Sequence, residues 1–418
     1  MSQALATEAL VASLVPIGEQ VAPGSCLVVG VDGTPVFDDA GSTSVIPASN
    51  MKLVTAAVGL DVLGPDHRFT TEARTDAAPV GGVVPGNLYL VGGGDPVLGT
   101  AGYVAAAAAQ VIHPQPYVTP LEALADQIVA AGVTTVQGAV VGDESRYDAE
   151  RFVPSWPASY ATSREAGPLS ALLVNDGAES LQPLRSTTDP AANAATVLTQ
   201  LLRQRGVTIA GPPTRAVTPA TAVPLTAIQS APLGELVGEM LTNSDDNTAE
   251  LLLKEIGLVG AGAGTRPAGL GVVQAKLAEW GIAPEGLAFV DGSGLDRGNR
   301  LTCGAIQAVL RHVGGSGPLA DGLPVAGQTG TLSDAFAGNP AIGRLRAKTG
   351  TLRDAKALSG FVDAPDGARH ISFSYIQNGP NAEAAAGPVW DALGRALTAY
   401  PTAPPMEQLD PEPAAPPP

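Results

Sequence analysis

The spacing of apolar residues divides the chain into segments with helical and with strand character. Apolar positions three or four residues apart predict helices near 3–15, 49–63, 119–131, 190–205, 233–241, 248–256, 269–280, 302–313 and 381–398. Apolar and β-branched runs bounded by turn residues predict strands near 26–31, 35–37, 68–73, 86–91, 134–142, 342–351, 355–363 and 369–377. Asp32-Gly33 and Asp366-Gly367 are turn residues typical of antiparallel hairpins. The pattern predicts an α/β (α+β) protein whose C-terminal part is an antiparallel sheet closed by a helix.

Composition narrows the class of protein. At 418 residues the chain is long enough for two or three domains, and 45% hydrophobic and 15% charged residues are typical of a globular protein. A formal net charge of −17 argues against binding to nucleic acid or anionic lipid. The sequence has no run of about twenty apolar residues that would predict a membrane-spanning helix. The proline-rich tail 401–418 is expected to be disordered because it cannot pack.

The chain start, the histidines and the cysteines add three expectations. Residues 1–5 lack the basic segment and apolar core of a signal peptide, so the protein is either cytoplasmic or exported by a signal outside this sequence. Cys26 and Cys303 could pair only if the fold brought them together, and the sequence favours two small buried thiols. No metal and no cofactor is expected, because the histidines lack metal-ligand spacing: His67, His113, His312 and His370.

A serine and a lysine stand three residues apart where an irregular segment becomes an apolar helix. Residues at this spacing share a helix face, so Ser49 Oγ and Lys52 Nζ can meet. A lysine that has lost its proton could accept the serine proton and make Ser49 a nucleophile. The same residues also fit a helix cap and a solvated surface lysine. Lysine scarcity favours the catalytic interpretation, since five lysines stand against eighteen arginines.

Two later stretches supply complementary chemistry. Ser244-Asp245-Asp246 lies at a break between two predicted helices, where a hydroxyl could relay a proton to a leaving group. Lys348-Thr349-Gly350-Thr351 lies on a predicted strand, with a second cation and two hydroxyls for a substrate carboxylate. Gly350 would let substrate approach the strand edge, and the Thr351 N–H could complete an oxyanion hole with that of Ser49.

The order of these three motifs resembles that of the low-molecular-mass class C penicillin-binding proteins. The similarity extends over nearly the whole chain and includes the segments 88–96, 291–295 and 348–352. The first and second motifs are 195 residues apart (244 − 49), a larger gap than in class A β-lactamases. The resemblance implies a transpeptidase-like domain, an antiparallel sheet flanked by helices, formed by 1–70 and 226–400. It also implies a large, mainly β accessory region inserted at 71–225.

The resemblance implies a serine-type D-alanyl-D-alanine carboxypeptidase/endopeptidase that acts on peptidoglycan stem peptides and is acylated by β-lactams. Ser49 would be the nucleophile and Lys52 its base, while Ser244 would relay the proton. Lys348 would supply positive charge. Thr349 and Thr351 would bind the terminal carboxylate. Since peptidoglycan lies outside the cytoplasmic membrane, the resemblance also implies an extracytoplasmic protein; it does not indicate the oligomeric state.

One position departs from the family pattern. The second motif usually ends in asparagine, but Asp246 holds that place and Asn247 follows it. A carboxylate only accepts hydrogen bonds, and near Lys52 it could keep the lysine protonated. Three outcomes stay open: an active enzyme with altered pH dependence or substrate choice, a catalytically impaired peptidoglycan-binding homologue, or a register shift that presents Asn247. A β-lactamase or esterase on the same scaffold is a further alternative.

Overall fold

The computed structural model describes residues 3–109, 117–364 and 370–401. The predicted turn at Asp366-Gly367, His113 and nearly all of the proline-rich tail lie outside these ranges. The helices are α1 (Gln3–Gly18), α2 (Met51–Leu63), α3 (Ala101–Ala109), α4 (Leu121–Ala130), α5 (Ser159–Ser163), α6 (Pro190–Gln204), α7 (Leu233–Asn243), α8 (Asp246–Ala261), α9 (Arg266–Glu279), α10 (Cys303–Val313), α11 (Pro318–Asp321) and α12 (Ala382–Ala399). Within the described residues, no helix combines the length and apolar character needed to cross a membrane.

The strands are short in the middle of the chain and longer near its ends. They are β1 (Cys26–Val31), β2 (Thr34–Asp39), β3 (Thr70–Thr75), β4 (Val83–Val84), β5 (Leu88–Val91), β6 (Leu98–Gly99), β7 (Thr119–Pro120), β8 (Thr135–Val136), β9 (Val140–Asp143), β10 (Ala178–Leu181), β11 (Leu184–Ser186), β12 (Thr208–Ile209), β13 (Thr214–Arg215), β14 (Val223–Gln229), β15 (Leu345–Leu352), β16 (Ala355–Asp363) and β17 (His370–Asn378). The predicted strand at 134–142 is split into β8 and β9. The predicted helix at 248–256 begins earlier, at Asp246, and extends to Ala261.

The chain forms two compact units. The first unit comprises 1–54, 280–289 and 297–418, and the second comprises 55–279 and 290–296. The second unit includes the segment 71–225, which contains helices as well as strands. That 71–225 is an accessory region separate from a transpeptidase-like domain stays a prediction.

The first unit is built on one antiparallel sheet in the order β15-β16-β17-β1-β2. Because side chains alternate between the faces of a strand, Leu27 and Val29 of β1 join the apolar core with α1 and α12. Cys26 and Gly30 point to the opposite face, where α10 crosses β1 and β17. All six residues of β1 are buried, since helices cover both faces of this strand.

The packing of α10 on β1 corrects the expectation for the cysteines. Cys26 begins β1 and Cys303 begins α10, and the two form a disulfide with Cα atoms 5.9 Å apart. The prediction of two separate buried thiols was wrong. The partners are 277 residues apart in sequence, and only the crossing of helix and sheet brings them together.

The second unit contains a mixed five-stranded sheet in the order β13-β9-β5-β3-β14. The strands β13, β9 and β5 run parallel to each other, whereas β3 is antiparallel to both β5 and β14. Helices α4 and α6 contribute amphipathic stripes to its core, including Leu124, Ile128, Leu198 and Leu202. Helix α8 packs against α9 and α7 and begins at the second motif.

Candidate active site

Ser49 occupies a single 3₁₀ turn, Ala48–Asn50, directly before α2. Lys52 lies in the first turn of that helix, and its Nζ donates a hydrogen bond to Ser49 Oγ over 3.2 Å. The Lys52 side chain is fully buried, whereas Ser49 is half-buried. The solvated-lysine alternative is therefore excluded. Ala48 has φ +47°, a left-handed conformation that costs a non-glycine residue about 1–2 kcal/mol and is common beside functional groups.

The third motif lies on β15, at one edge of the five-stranded sheet. Leu345 O and Ala347 N make backbone hydrogen bonds on the side away from β16. Because backbone groups of alternate residues point to alternate sides of an antiparallel strand, the N–H groups of Thr349 and Thr351 point to that same outer edge. The orientation of the Thr351 N–H is the one that an oxyanion hole at this edge requires.

The two faces of β15 carry different groups. Lys348 and Gly350 lie on the face that meets the turn of Ser49, and Lys348 is fully buried with its Nζ donating to Thr349 O over 2.9 Å. A Cβ on Gly350 would lie 3.0 Å from Pro47 O and 3.1 Å from the Cβ of Ala48. Glycine is therefore required here for close contact between the strand and the turn that carries the serine.

The threonine side chains lie on the opposite face of β15, toward α12. Thr349 Oγ1 is 2.7 Å from Thr331 Oγ1, and the two hydroxyls share a hydrogen bond. Thr351 is exposed, and its Oγ1 accepts a hydrogen bond from Lys356 Nζ over 3.0 Å. Sequence reasoning did not single out Thr331 or Lys356.

The second motif, in the second unit, forms the junction between α7 and α8. Ser244 ends α7 in a left-handed conformation, φ 61° and ψ 37°. The carboxylate of Asp245 caps α8 by accepting the Thr248 N–H over 2.8 Å. Asp246 is the first residue of α8 and is half-buried. This arrangement explains why the serine follows a helix break: a left-handed residue ends one helix and a carboxylate starts the next.

Asn247 forms hydrogen bonds with other residues of the second unit. Its side chain is buried, its Oδ1 accepts the Gly167 N–H over 2.9 Å, and its Nδ2 donates to the carboxylate of Asp176. These two bonds hold the loop near 167 and the turn near 176 on the start of α8. The Asn247 amide is therefore engaged in structure; that Asp246 holds the family's asparagine position stays a prediction from the sequence.

A cavity of about 400 Å³ lies beside this junction within the second unit. Its lining includes the second motif, two tyrosines and two further carboxyl groups: Tyr103, Tyr117, Asp176, Glu239 and residues 244–247. Burial and then the negative charge of Asp245 raise the pKa of Asp176 to about 7 and that of Glu239 to about 8. Glu239 is therefore mostly protonated near neutral pH, whereas Asp176 is divided between its protonated and ionised forms. No local sequence signal marks them, since they are far apart along the chain.

The segment 291–295, part of the sequence resemblance, is a buried turn. The carboxylate of Asp291 accepts hydrogen bonds from Trp156 Nε1 over 2.8 Å and from the Gly294 N–H over 2.8 Å. Glu250 of α8 accepts the N–H groups of Gly292 and Ser293, and burial followed by repulsion from Asp291 raises the pKa of Glu250 to about 8. These bonds tie the turn to the helix that begins at the second motif.

The described residues contain no group of three or more His, Cys, Asp or Glu side chains arranged to hold a metal ion. The chemistry available in the first unit is instead a serine hydroxyl beside a buried lysine, with a backbone N–H and a threonine hydroxyl on a neighbouring strand edge.

A serine three residues before a buried lysine, packed against an edge strand with Lys-Thr-Gly, is the arrangement of the class of enzymes that comprises the penicillin-binding serine DD-peptidases and the class A β-lactamases. Within this class, the chain belongs to the D-Ala-D-Ala carboxypeptidase 3 (S13) family, whose family model it matches over residues 23–183 and 178–399. The resemblance expected from the sequence is thereby confirmed.

Individual relatives agree with this assignment. The chain is 31% identical to a D-alanyl-D-alanine carboxypeptidase of an Actinomadura species, over 92% of this chain and 82% of the relative. It is 32% identical to a carboxypeptidase of Mycobacterium tuberculosis, over 81% of this chain and 72% of the relative. The crystal structure of penicillin binding protein 4 from Haemophilus influenzae has the same fold, with a TM-score of 0.73 at 20% identity over 92% of this chain and 98% of that one.

Proposed function

We propose that this protein is a serine D-alanyl-D-alanine carboxypeptidase/endopeptidase acting on peptidoglycan stem peptides, with Ser49 as nucleophile. The observation that carries the proposal is the 3.2 Å hydrogen bond between Ser49 Oγ and the fully buried Lys52 Nζ, in a chain of the S13 family. A hydroxyl at this distance from an amine can lose its proton as it attacks a carbonyl carbon.

The proposed reaction has two steps. Ser49 Oγ bonds to the carbonyl carbon of the penultimate D-Ala, and Lys52 accepts the hydroxyl proton. The N–H groups of Ser49 and Thr351 stabilise the oxyanion. The C–N bond then breaks, and the terminal D-Ala leaves with a proton relayed by Ser244. Water finally hydrolyses the acyl-enzyme and restores Ser49.

Three groups at β15 have proposed binding roles. Lys348 supplies positive charge, and the hydroxyls of Thr349 and Thr351 bind the terminal carboxylate. Gly350 keeps the strand edge close to the serine turn. A β-lactam has the same carboxylate and an acylating carbonyl, so it would acylate Ser49 and remain attached.

The location and the partners follow from the substrate. Peptidoglycan lies outside the cytoplasmic membrane, so the proposed place of action is the cell wall or periplasmic space. The proposed partners are stem peptides and, as inhibitors, β-lactams. No cofactor takes part in the proposed reaction.

A labelling experiment tests the nucleophile and the family chemistry together. The protein is incubated with a fluorescent penicillin, and intact mass is measured for the wild type, Ser49→Ala and Ser333→Ala. Ser333 is an exposed serine and serves as the matched control. We expect one adduct per chain on the wild type and on Ser333→Ala, and none on Ser49→Ala. An adduct that persists on Ser49→Ala would exclude Ser49 as the nucleophile.

A substitution at Asp246 distinguishes an active enzyme from a catalytically impaired homologue that only binds peptidoglycan. The alternative is supported by the carboxylate itself, which cannot donate the hydrogen bond that an asparagine would. D-Ala release from a peptide ending in D-Ala-D-Ala is measured for the wild type and Asp246→Asn. We expect release by both. Release by Asp246→Asn alone would identify the natural chain as a binder, whereas rapid turnover of penicillin would indicate a β-lactamase.

A further inference from the structure

We propose that Lys356 is a positioning residue that makes the site selective for a peptide with a free terminal carboxylate. The proposal rests on the proposed function, in which Thr351 binds that carboxylate. Lys356 belongs to none of the three motifs. Two of the other four lysines lie in motifs, and the remaining two, Lys254 and Lys276, form ion pairs within the second unit.

The position of Lys356 is set by the sheet and by α12. Lys356 of β16 lies directly opposite Thr351 of β15, so their side chains share one face. Its Nζ donates to Thr351 Oγ1 over 3.0 Å and to Glu383 Oε1 over 2.8 Å, and it lies 5.3 Å from the centre of the Trp390 ring. Glu383 and Trp390 are two turns apart on α12, so one helix face holds the ammonium group in place.

The hydrogen bond between Lys356 and Thr351 has only one possible direction. An ammonium group donates and never accepts, so Thr351 Oγ1 must be the acceptor. The single O–H of Thr351 then points elsewhere, and the exposed side chain leaves it available to a ligand acceptor. A hydroxyl that accepts a bond from a cation is also a stronger donor, because neighbouring hydrogen bonds polarise each other.

The hydroxyl of Thr349, unlike that of Thr351, has no fixed hydrogen-bond direction. Its hydroxyl pairs with that of Thr331, and either hydroxyl can be the donor. Thr349 therefore has no preference between a ligand that donates and one that accepts. Thr351 does have one, and a carboxylate, which only accepts, matches it.

The charge of Lys356 acts in the same direction. The Glu383 side chain is 73% exposed and that of Lys356 is 15% exposed, so water screens the carboxylate more strongly than the ammonium. A carboxylate bound at Thr351 thus meets a directed hydroxyl and a nearby positive charge.

The test compares two peptides that differ only at the C-terminus: one ending in D-Ala-D-Ala with a free carboxylate and one with a carboxamide. D-Ala or D-alaninamide release is measured to give kcat and KM for the wild type, Lys356→Met, Lys356→Arg and Lys276→Met. Lys276→Met removes the same charge from an ion pair in the second unit and is the matched control. Melting temperatures confirm folding.

We expect Lys356→Met to lower kcat/KM for the carboxylate peptide about tenfold, mainly through KM, and to change the carboxamide peptide less than about twofold. Lys356→Arg should recover part of the loss, since it restores the charge and the donor. Lys276→Met should leave the ratio of the two peptides unchanged.

An equal loss for both peptides would assign Lys356 a merely structural role and overturn the proposal, as would an unchanged ratio. A wild-type protein that releases D-Ala while Lys356→Met keeps its selectivity would refute this inference alone. Absence of release by the wild type would overturn the proposed function and this inference together.

Discussion

Gly350→Ala tests the contact between the serine turn and the edge strand. The new Cβ would lie 3.0 Å from Pro47 O, 3.1 Å from Ala48 Cβ and 3.2 Å from Ala357 Cβ. Ordinary carbon contacts are about 3.5–4.0 Å, so turn and strand must separate by about half an ångström. Such overpacking costs about 1–3 kcal/mol of stability, partly offset by about 0.5–1 kcal/mol from replacing a strand glycine.

The separation would move Ser49 away from the Thr351 N–H. A displacement of 1 Å at reacting groups costs about a hundredfold in rate, so half that distance predicts a loss of about tenfold or more. The rate constant for acylation by a fluorescent penicillin measures this loss of rate directly, and thermal unfolding measures the change in stability. We expect slower acylation together with a lower melting temperature.

Gly271→Ala is the matched control. Gly271 is exposed within α9, and a Cβ there would have no atom of another segment within 4 Å. We expect wild-type acylation and a slightly higher melting temperature, because alanine favours a helix over glycine by about 1 kcal/mol. Wild-type acylation and stability in Gly350→Ala would refute the argument that glycine is required for this contact.

Two further predictions concern stability. Replacing both Cys26 and Cys303 by alanine should lower the free energy of unfolding by about 2–5 kcal/mol in urea titrations, because the disulfide closes a long loop; an unchanged midpoint would contradict this. Glu239→Gln should flatten the pH dependence of stability: the raised pKa of Glu239, about 8 against 4.5, means that its stabilisation is complete below about pH 4.5 and is lost as pH rises toward 8. The variant should therefore have a higher free energy of unfolding than the wild type at pH 8, and a pH profile parallel to that of the wild type would refute the assignment.

Local patterns in the sequence predicted most of the elements and the chemistry that lies within one element. The spacing of Ser49 and Lys52 is a property of a single helical turn, so their hydrogen bond could be anticipated. The hairpin of β1 and β2 and the alternation along β15 follow from the two-residue period of strands. The family motifs, read in order, predicted the DD-peptidase fold, and the match to the S13 family model agrees with it.

The tertiary structure alone decided which distant segments meet. Apolar periodicity shows that a face of β1 or α10 is buried, but not against which element, so the pairing of Cys26 with Cys303 was missed. For the same reason, the sequence did not predict that the side-chain amide of Asn247 forms hydrogen bonds with Gly167 and Asp176. That Gly350 admits substrate stays a prediction, and only the structure shows that a Cβ there would lie 3.0 Å from Pro47 O. Interactions between residues that are close in sequence can be predicted from the sequence. Contacts between residues tens or hundreds of positions apart depend on how the buried faces of helices and strands pack.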